Sequence, residues 1–161
     1  MKKRKSIVSV FALFAAVCMF FTACGQDPVA KEIQDFANTK MKSVNEQYQK
    51  FSEDYNAISS HTTDYVDYIN DTLIPEVDEI ISSVEKIDTE HDEVTDLKDK
   101  YLKVMNGYRS AMQKCADAVA NEDSEGLMSA SEDLEQVTED LNTYNTTLKD
   151  LGEKYDMTVI E

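Results

Sequence analysis

The residues best spaced for chemistry are Asn121, Asp123 and Glu125, followed by Gly126 at the sixth place and Glu132 at the twelfth. Oxygen-bearing side chains at alternate positions, a glycine at six and a glutamate at twelve are how a loop wraps calcium in hard ligands. Two residues spoil the pattern. Asn121 stands where the first aspartate belongs, and Glu125 is longer than its place accommodates. Leu127, Ala130 and Leu134 also recur at helical spacing through the same stretch, so a helix is expected where the loop would have to curl. The segment reads first as an acidic turn with Asp123 or Ser124 capping a helix. Asn121, Asp123, Glu125 and Glu132 remain weak calcium candidates, and no other metal and no cofactor is expected.

Other reactive residues offer less. A di-metal centre in a helical bundle needs Glu-x-x-His pairs; the nearest approach is Asp88-x-x-His91, which occurs once. His61 and His91 fall in turns at opposite ends of the expected fold and are read as solvated. Cys115, with only Lys114 beside it, reads as a small apolar core residue. Phosphate-binding glycine loops, G-x-S-x-G, H-E-x-x-H and C-x-x-C are all missing from the sequence. Nothing selects a carboxylate pair among 32 acids. The chain is not expected to be an enzyme.

The N-terminus carries a sharper signal. Lys2, Lys3, Arg4 and Lys5 precede an apolar run from Ile7 to Phe21, and Thr22 and Ala23 lead to Cys24. A basic region, an apolar region and a small residue before a cut define a secretory signal. Phe21-Thr22-Ala23-Cys24 resembles the lipobox of the bacterial lipoprotein class, with Phe21 in place of the usual leucine. The resemblance covers about the first 25 residues. It implies cleavage before Cys24, diacylglyceryl attachment to its sulfur, and a place at the extracytoplasmic face of the cell membrane. The apolar run is too short to span a bilayer, which takes ~20 residues.

Removing residues 1–23 takes four cations and no acids, so the net charge falls from −16 to −20. That excess excludes nucleic acid as a partner, since phosphate binding needs clustered Lys and Arg. It also excludes electrostatic docking on anionic lipid. With Cys24 lipidated, Cys115 is left without a disulfide partner.

The elements that must position these groups are helices throughout, since apolar residues recur every three or four positions. A first helix is capped by Asp27-Pro28 and carries Val29, Ile33, Phe36, Met41, Val44, Tyr48, Phe51, Tyr55 and Ile58. After a turn at Ser59–Thr63, capped by Thr62 or Thr63, a second carries Val66 to Ile87 and is kinked, not broken, at Pro75. After a turn at Thr89–Asp92, a third carries Val94 to Val119, with Gly107 either permitting close packing or tolerated as a defect. The fourth runs from Leu127 to Tyr155 on the most regular seam in the chain. Short turns between such helices predict an all-α, antiparallel up-down-up-down four-helix bundle with coiled-coil-like packing over residues 27–156. Residues 24–26 form a tether and 157–161 a tail. The alternative is an open arrangement completed as a homodimer. The eight tyrosines are expected in the core with hydroxyls at its rim. The expected function is that of a lipid-anchored, non-enzymatic binding or scaffold module for an envelope protein. The alternative is a small-ligand or calcium-binding lipoprotein using residues 121–132 or an interhelical pocket.

Overall fold

The computed structural model describes residues 20–23 and 27–160. Cys24 and most of the signal segment lie outside them.

Helix α1 (Pro28–Asp35) starts at Asp27, whose carboxylate accepts from the backbone N–H groups of Val29 and Ala30, with Pro28 in the first turn. The apolar stripe then takes a five-residue step, from Phe36 to Met41. A regular helix cannot bury both. The chain answers with a π turn over Phe36–Lys40, closed by a 2.9 Å bond from Met41 N–H to the Phe36 carbonyl, and both side chains are buried. α2 (Lys42–Ala57) continues the helix and ends in a 3₁₀ turn, Ile58–Ser60.

α3 (Tyr65–Tyr68) begins at Asp64, not at Thr62 or Thr63, and Asp64 makes no capping bond with its side chain. A second π turn, Ile69–Leu73, joins α3 to α4 (Ile74–Glu85) with helical backbone angles at Leu73 and Ile74. The helix therefore continues past Pro75. A proline ring clashes with the carbonyl one turn earlier in a regular helix; a turn widened to Ile69–Ile74 bonding supplies the room. The same turn sends both Leu73 and Ile74 into the core.

The next connection is longer than expected, residues 86–91, because α4 stops at Glu85, before the last stripe residue Ile87, and α5 (Asp92–Ala120) starts only at Asp92. α6 (Ser124–Lys154) follows after three residues. α5 ends in a Schellman motif. Asp123 N–H bonds the Ala118 carbonyl at 2.8 Å, Glu122 N–H bonds Val119 at 3.3 Å, and Glu122 takes the left-handed conformation at φ 54°. In the tail, β2 (Met157–Ile160) pairs antiparallel with β1 (Phe20–Ala23).

Cross-links fix how the helices lie. Gln47 bonds Glu79 and Lys50 bonds Glu76, so α2 and α4 are antiparallel. Arg109 pairs with Asp78 across α4 and α5. Lys154 meets Glu93, Lys103 meets Asp140 and Lys114 meets Asp133, so α5 and α6 are antiparallel along nearly their whole length. α5 packs on both sides. This explains why Met105, Ala111, Ala116 and Ala118 are buried beside the expected stripe, while Cys115 is only half-buried and Val119 is exposed.

Gly107 settles as a close-approach residue. A Cβ there would stand 2.6 Å from Val137 Cγ2. Small residues at that point let α5 and α6 come together.

Candidate functional site

The residues proposed as calcium ligands do not form a loop. Asn121 ends α5, and its side-chain amide donates to the Asp117 carbonyl at 2.7 Å. Asp123 is the N-cap of α6, accepting from Glu125 and Gly126 N–H at 3.0 Å each. Its oxygens complete a helix terminus. Glu125 and Glu132 project from α6 as exposed side chains, nearly two turns apart. The backbone is helical from Ser124, as the Leu127–Ala130–Leu134 spacing requires. Among the described residues no three His, Cys, Asp or Glu side chains are placed to hold a metal.

Beside this hairpin lies an open groove of about 590 Å³, lined by Asn106, Arg109, Gln113, Lys114, Asp117 and Asp123 among others. Its lining comes almost wholly from α5 and the turn after it, and most of the lining side chains are polar. Lys114 is already engaged by Asp133 and Ser129, and Arg109 by Asp78.

The two histidines are structured. His61 stacks on Tyr68 with ring centroids 3.7 Å apart and an interplanar angle of 8°, and its Nδ1 lies 3.0 Å from Asp64. His91 belongs to a tighter arrangement. The Glu32 carboxylate on α1 accepts from Glu90 N–H at 2.6 Å, from His91 N–H at 3.0 Å and from His91 Nδ1 at 2.5 Å. Burial pushes the Glu32 carboxyl up, but those donors outweigh it and leave it below the usual carboxylate range. The same carboxylate, helped by Glu90 and Glu93, raises His91 above the usual histidine range. Lys40 adds a bond to the Asp88 carbonyl, and Lys98 bonds the carbonyls of Glu85 and Ile87. The 86–91 turn is thus held to the start of α1 and to α5.

Sequence reasoning missed one carboxylate pair. Asp54 and Glu76 meet across α2 and α4 with Lys50 bonded to both. Burial raises the Glu76 carboxyl, and Lys50 only partly opposes it; Lys50 lowers Asp54. Among the described residues, Glu76 Oε2 and Gln47 Oε1 are buried there without a hydrogen-bond partner. No local motif marks these residues, because the pair forms only when two helices align.

Three of the eight tyrosines lie deeper than a rim, and the other five are half-buried. Tyr48, Tyr101 and Tyr108 are buried, and Tyr101 meets the Tyr144 ring edge-on at 5.4 Å. Burial pushes the Tyr108 hydroxyl up to about 12 and the hydroxyls of Tyr48, Tyr101 and Tyr144 further. These groups stay neutral and serve packing. Tyr65 reaches the Cys115 sulfur at 3.3 Å.

A helical domain behind a basic and apolar leader that ends in Thr22-Ala23-Cys24 defines a membrane-anchored envelope lipoprotein. The chain belongs to the family described as uncharacterised lipoprotein PM1805, whose model matches residues 29–156. No curated protein and no solved structure matches it.

Proposed function

We propose that the protein is a non-enzymatic binding or scaffold module, an up-down-up-down four-helix bundle held by lipidated Cys24 at the extracytoplasmic face of the cell membrane. The observation that carries this reading is the polarity of the molecule. At one end, Glu32 ties the 86–91 turn to α1, five residues after the cap Asp27, and Lys154 returns to Glu93. Cys24 precedes Asp27 by three residues in the sequence. The α5–α6 hairpin stands at the other end of a 29-residue helix, about 43 Å away at 1.5 Å per residue. Glu32, Lys40, Lys98, Glu93 and Lys154 at that end hold turns and helices together, which leaves outer surfaces for recognition.

Labelling cells with a radioactive fatty acid tests the anchor. Wild-type chain should incorporate label and sediment with membranes, and Cys24→Ser should do neither. External protease on intact cells or spheroplasts tests the side of the membrane. An unlabelled, soluble wild-type chain would overturn the anchoring.

A further inference from the structure

We propose that the outer half of the α5–α6 hairpin docks a basic, amphipathic segment of another envelope protein. This rests on the surface-binding reading above and names the chemistry of the partner.

The sequence from Cys115 to Leu148 contains nine Asp or Glu residues and not one Lys or Arg. Folding places this run in a single hairpin, the end of α5 and most of α6. Two of the nine are neutralised from outside the run, Asp133 by Lys114 and Asp140 by Lys103. Glu122, Glu125, Glu132, Glu135 and Glu139 are exposed and have no ion-pair partner among the described residues. Elsewhere the helices interleave their charges: Lys50 with Asp54 and Glu76, Arg109 with Asp78, Lys100 with Asp96. The exposed glutamates therefore form an unanswered negative stripe from the hairpin turn to the middle of α6, and such a stripe steers cationic partners.

An apolar element sits within it. Val119 and Met128 are the exposed large apolar residues among those described, and both lie on this hairpin. Met128 is 66% exposed. Glu125, Met128 and Glu132 are spaced three and four residues apart on α6, so they share one outward face. An adaptable methionine between two unpaired carboxylates matches a partner that sets an apolar residue between Lys or Arg at the same spacing.

Other occupants fit less well. A second copy would bring the same acids against these. An anionic bilayer would repel them, and at about 43 Å from the anchored end the hairpin stands several Debye lengths, ~8–10 Å each, from the membrane surface.

The test uses the processed, lipid-bearing chain in neutral detergent at physiological salt. The probe is a fluorescent synthetic helix with a leucine stripe flanked by lysines, beside a shuffled peptide of identical composition. The shuffled peptide should bind about fivefold more weakly. Glu125→Lys with Glu132→Lys should cut affinity for the helix at least about tenfold, whereas Glu46→Lys with Glu53→Lys, an equal charge change on exposed α2 positions, should cut it less than about threefold. Met128→Ser should weaken the amphipathic helix alone. Equal losses for both charge reversals, or no effect of Met128→Ser, would overturn the proposal. A photocrosslinking residue at position 128 and another at position 46, introduced separately in cells, divide the two claims. Adducts at 46 without adducts at 128 would overturn this docking surface and leave the surface-binding reading; adducts at neither would overturn both.

Discussion

Replacing Gly107 with alanine probes the closest approach in the fold, and its sign is not obvious. On helix propensity alone the change stabilises by ~1 kcal/mol. Against this, the new methyl would stand 2.6 Å from Val137 Cγ2, where carbon pairs rest at ~3.5–4.0 Å. Val137 is 2% exposed and branched at Cβ, so it has little room to turn aside. Overpacking of this kind costs ~1–3 kcal/mol, so the net effect of Gly107→Ala is a loss of about 1 kcal/mol. Val137→Ala alone should cost roughly 2 kcal/mol through lost burial and a cavity. It also removes the Cγ2 methyl that the added Cβ would strike. In the Val137→Ala background, Gly107→Ala should then stabilise by up to ~1 kcal/mol, a reversal of sign and a coupling of about 2 kcal/mol. Urea unfolding of wild type, both single variants and the double variant, followed by far-ultraviolet circular dichroism, measures all four corners. If Gly107→Ala stabilises equally in both backgrounds, Gly107 is a tolerated defect and the α5–α6 approach is wrong.

Glu122 holds a left-handed backbone that costs L residues ~1–2 kcal/mol; Glu122→Gly should raise stability by up to ~1 kcal/mol in the same urea assay. Asp123→Ala should lose about 1 kcal/mol of capping, and millimolar calcium should leave the midpoints of wild type and variant unchanged. The Glu32–His91 clamp has a window. Lowered Glu32 contributes stability above the ordinary carboxylate range that is lost as pH falls through its folded value. Raised His91 contributes stability below the ordinary histidine range that is lost as pH rises through its folded value. Glu32→Gln should flatten both limbs of the stability–pH curve and speed hydrogen exchange at the Glu90 and His91 amides. Removing residues 1–23 takes β1 away from Met157–Ile160, so amide protection at 157–160 should disappear in hydrogen exchange.

The contrast between the two π turns shows how far a sequence carries its own irregularities. In the first helix the apolar stripe steps by five from Phe36 to Met41, the spacing that an i to i+5 turn spans, and that turn is there. The signal was legible because a single stripe faces a single core. In the second helix Val66, Ile69, Leu73 and Val77 keep an ordinary spacing, and the π turn instead shows in the burial of the consecutive residues Leu73 and Ile74. A pattern that asks only for one apolar residue per turn cannot see an extra one. Pro75 marked the place without its remedy.

The same limit separates what was readable at the functional surfaces. Helix caps depend on neighbours in sequence, so Asp27 and Asp123 could be found from their local context. Glu32 and His91 are 59 residues apart, and Asp54 meets Glu76 across two helices; only the register of one helix on the next selects these partners from 32 acids. The cation-free run from Cys115 to Leu148 is different. It was visible in the sequence all along, but its meaning needed the fold, because acids distributed around an isolated helix are ordinary solvation. It becomes a concentrated field once α5 and α6 close into one hairpin, where the two cations that pair into the run, Lys103 and Lys114, are taken up by Asp140 and Asp133. Charge is read from composition, but charge left unanswered is a property of packing.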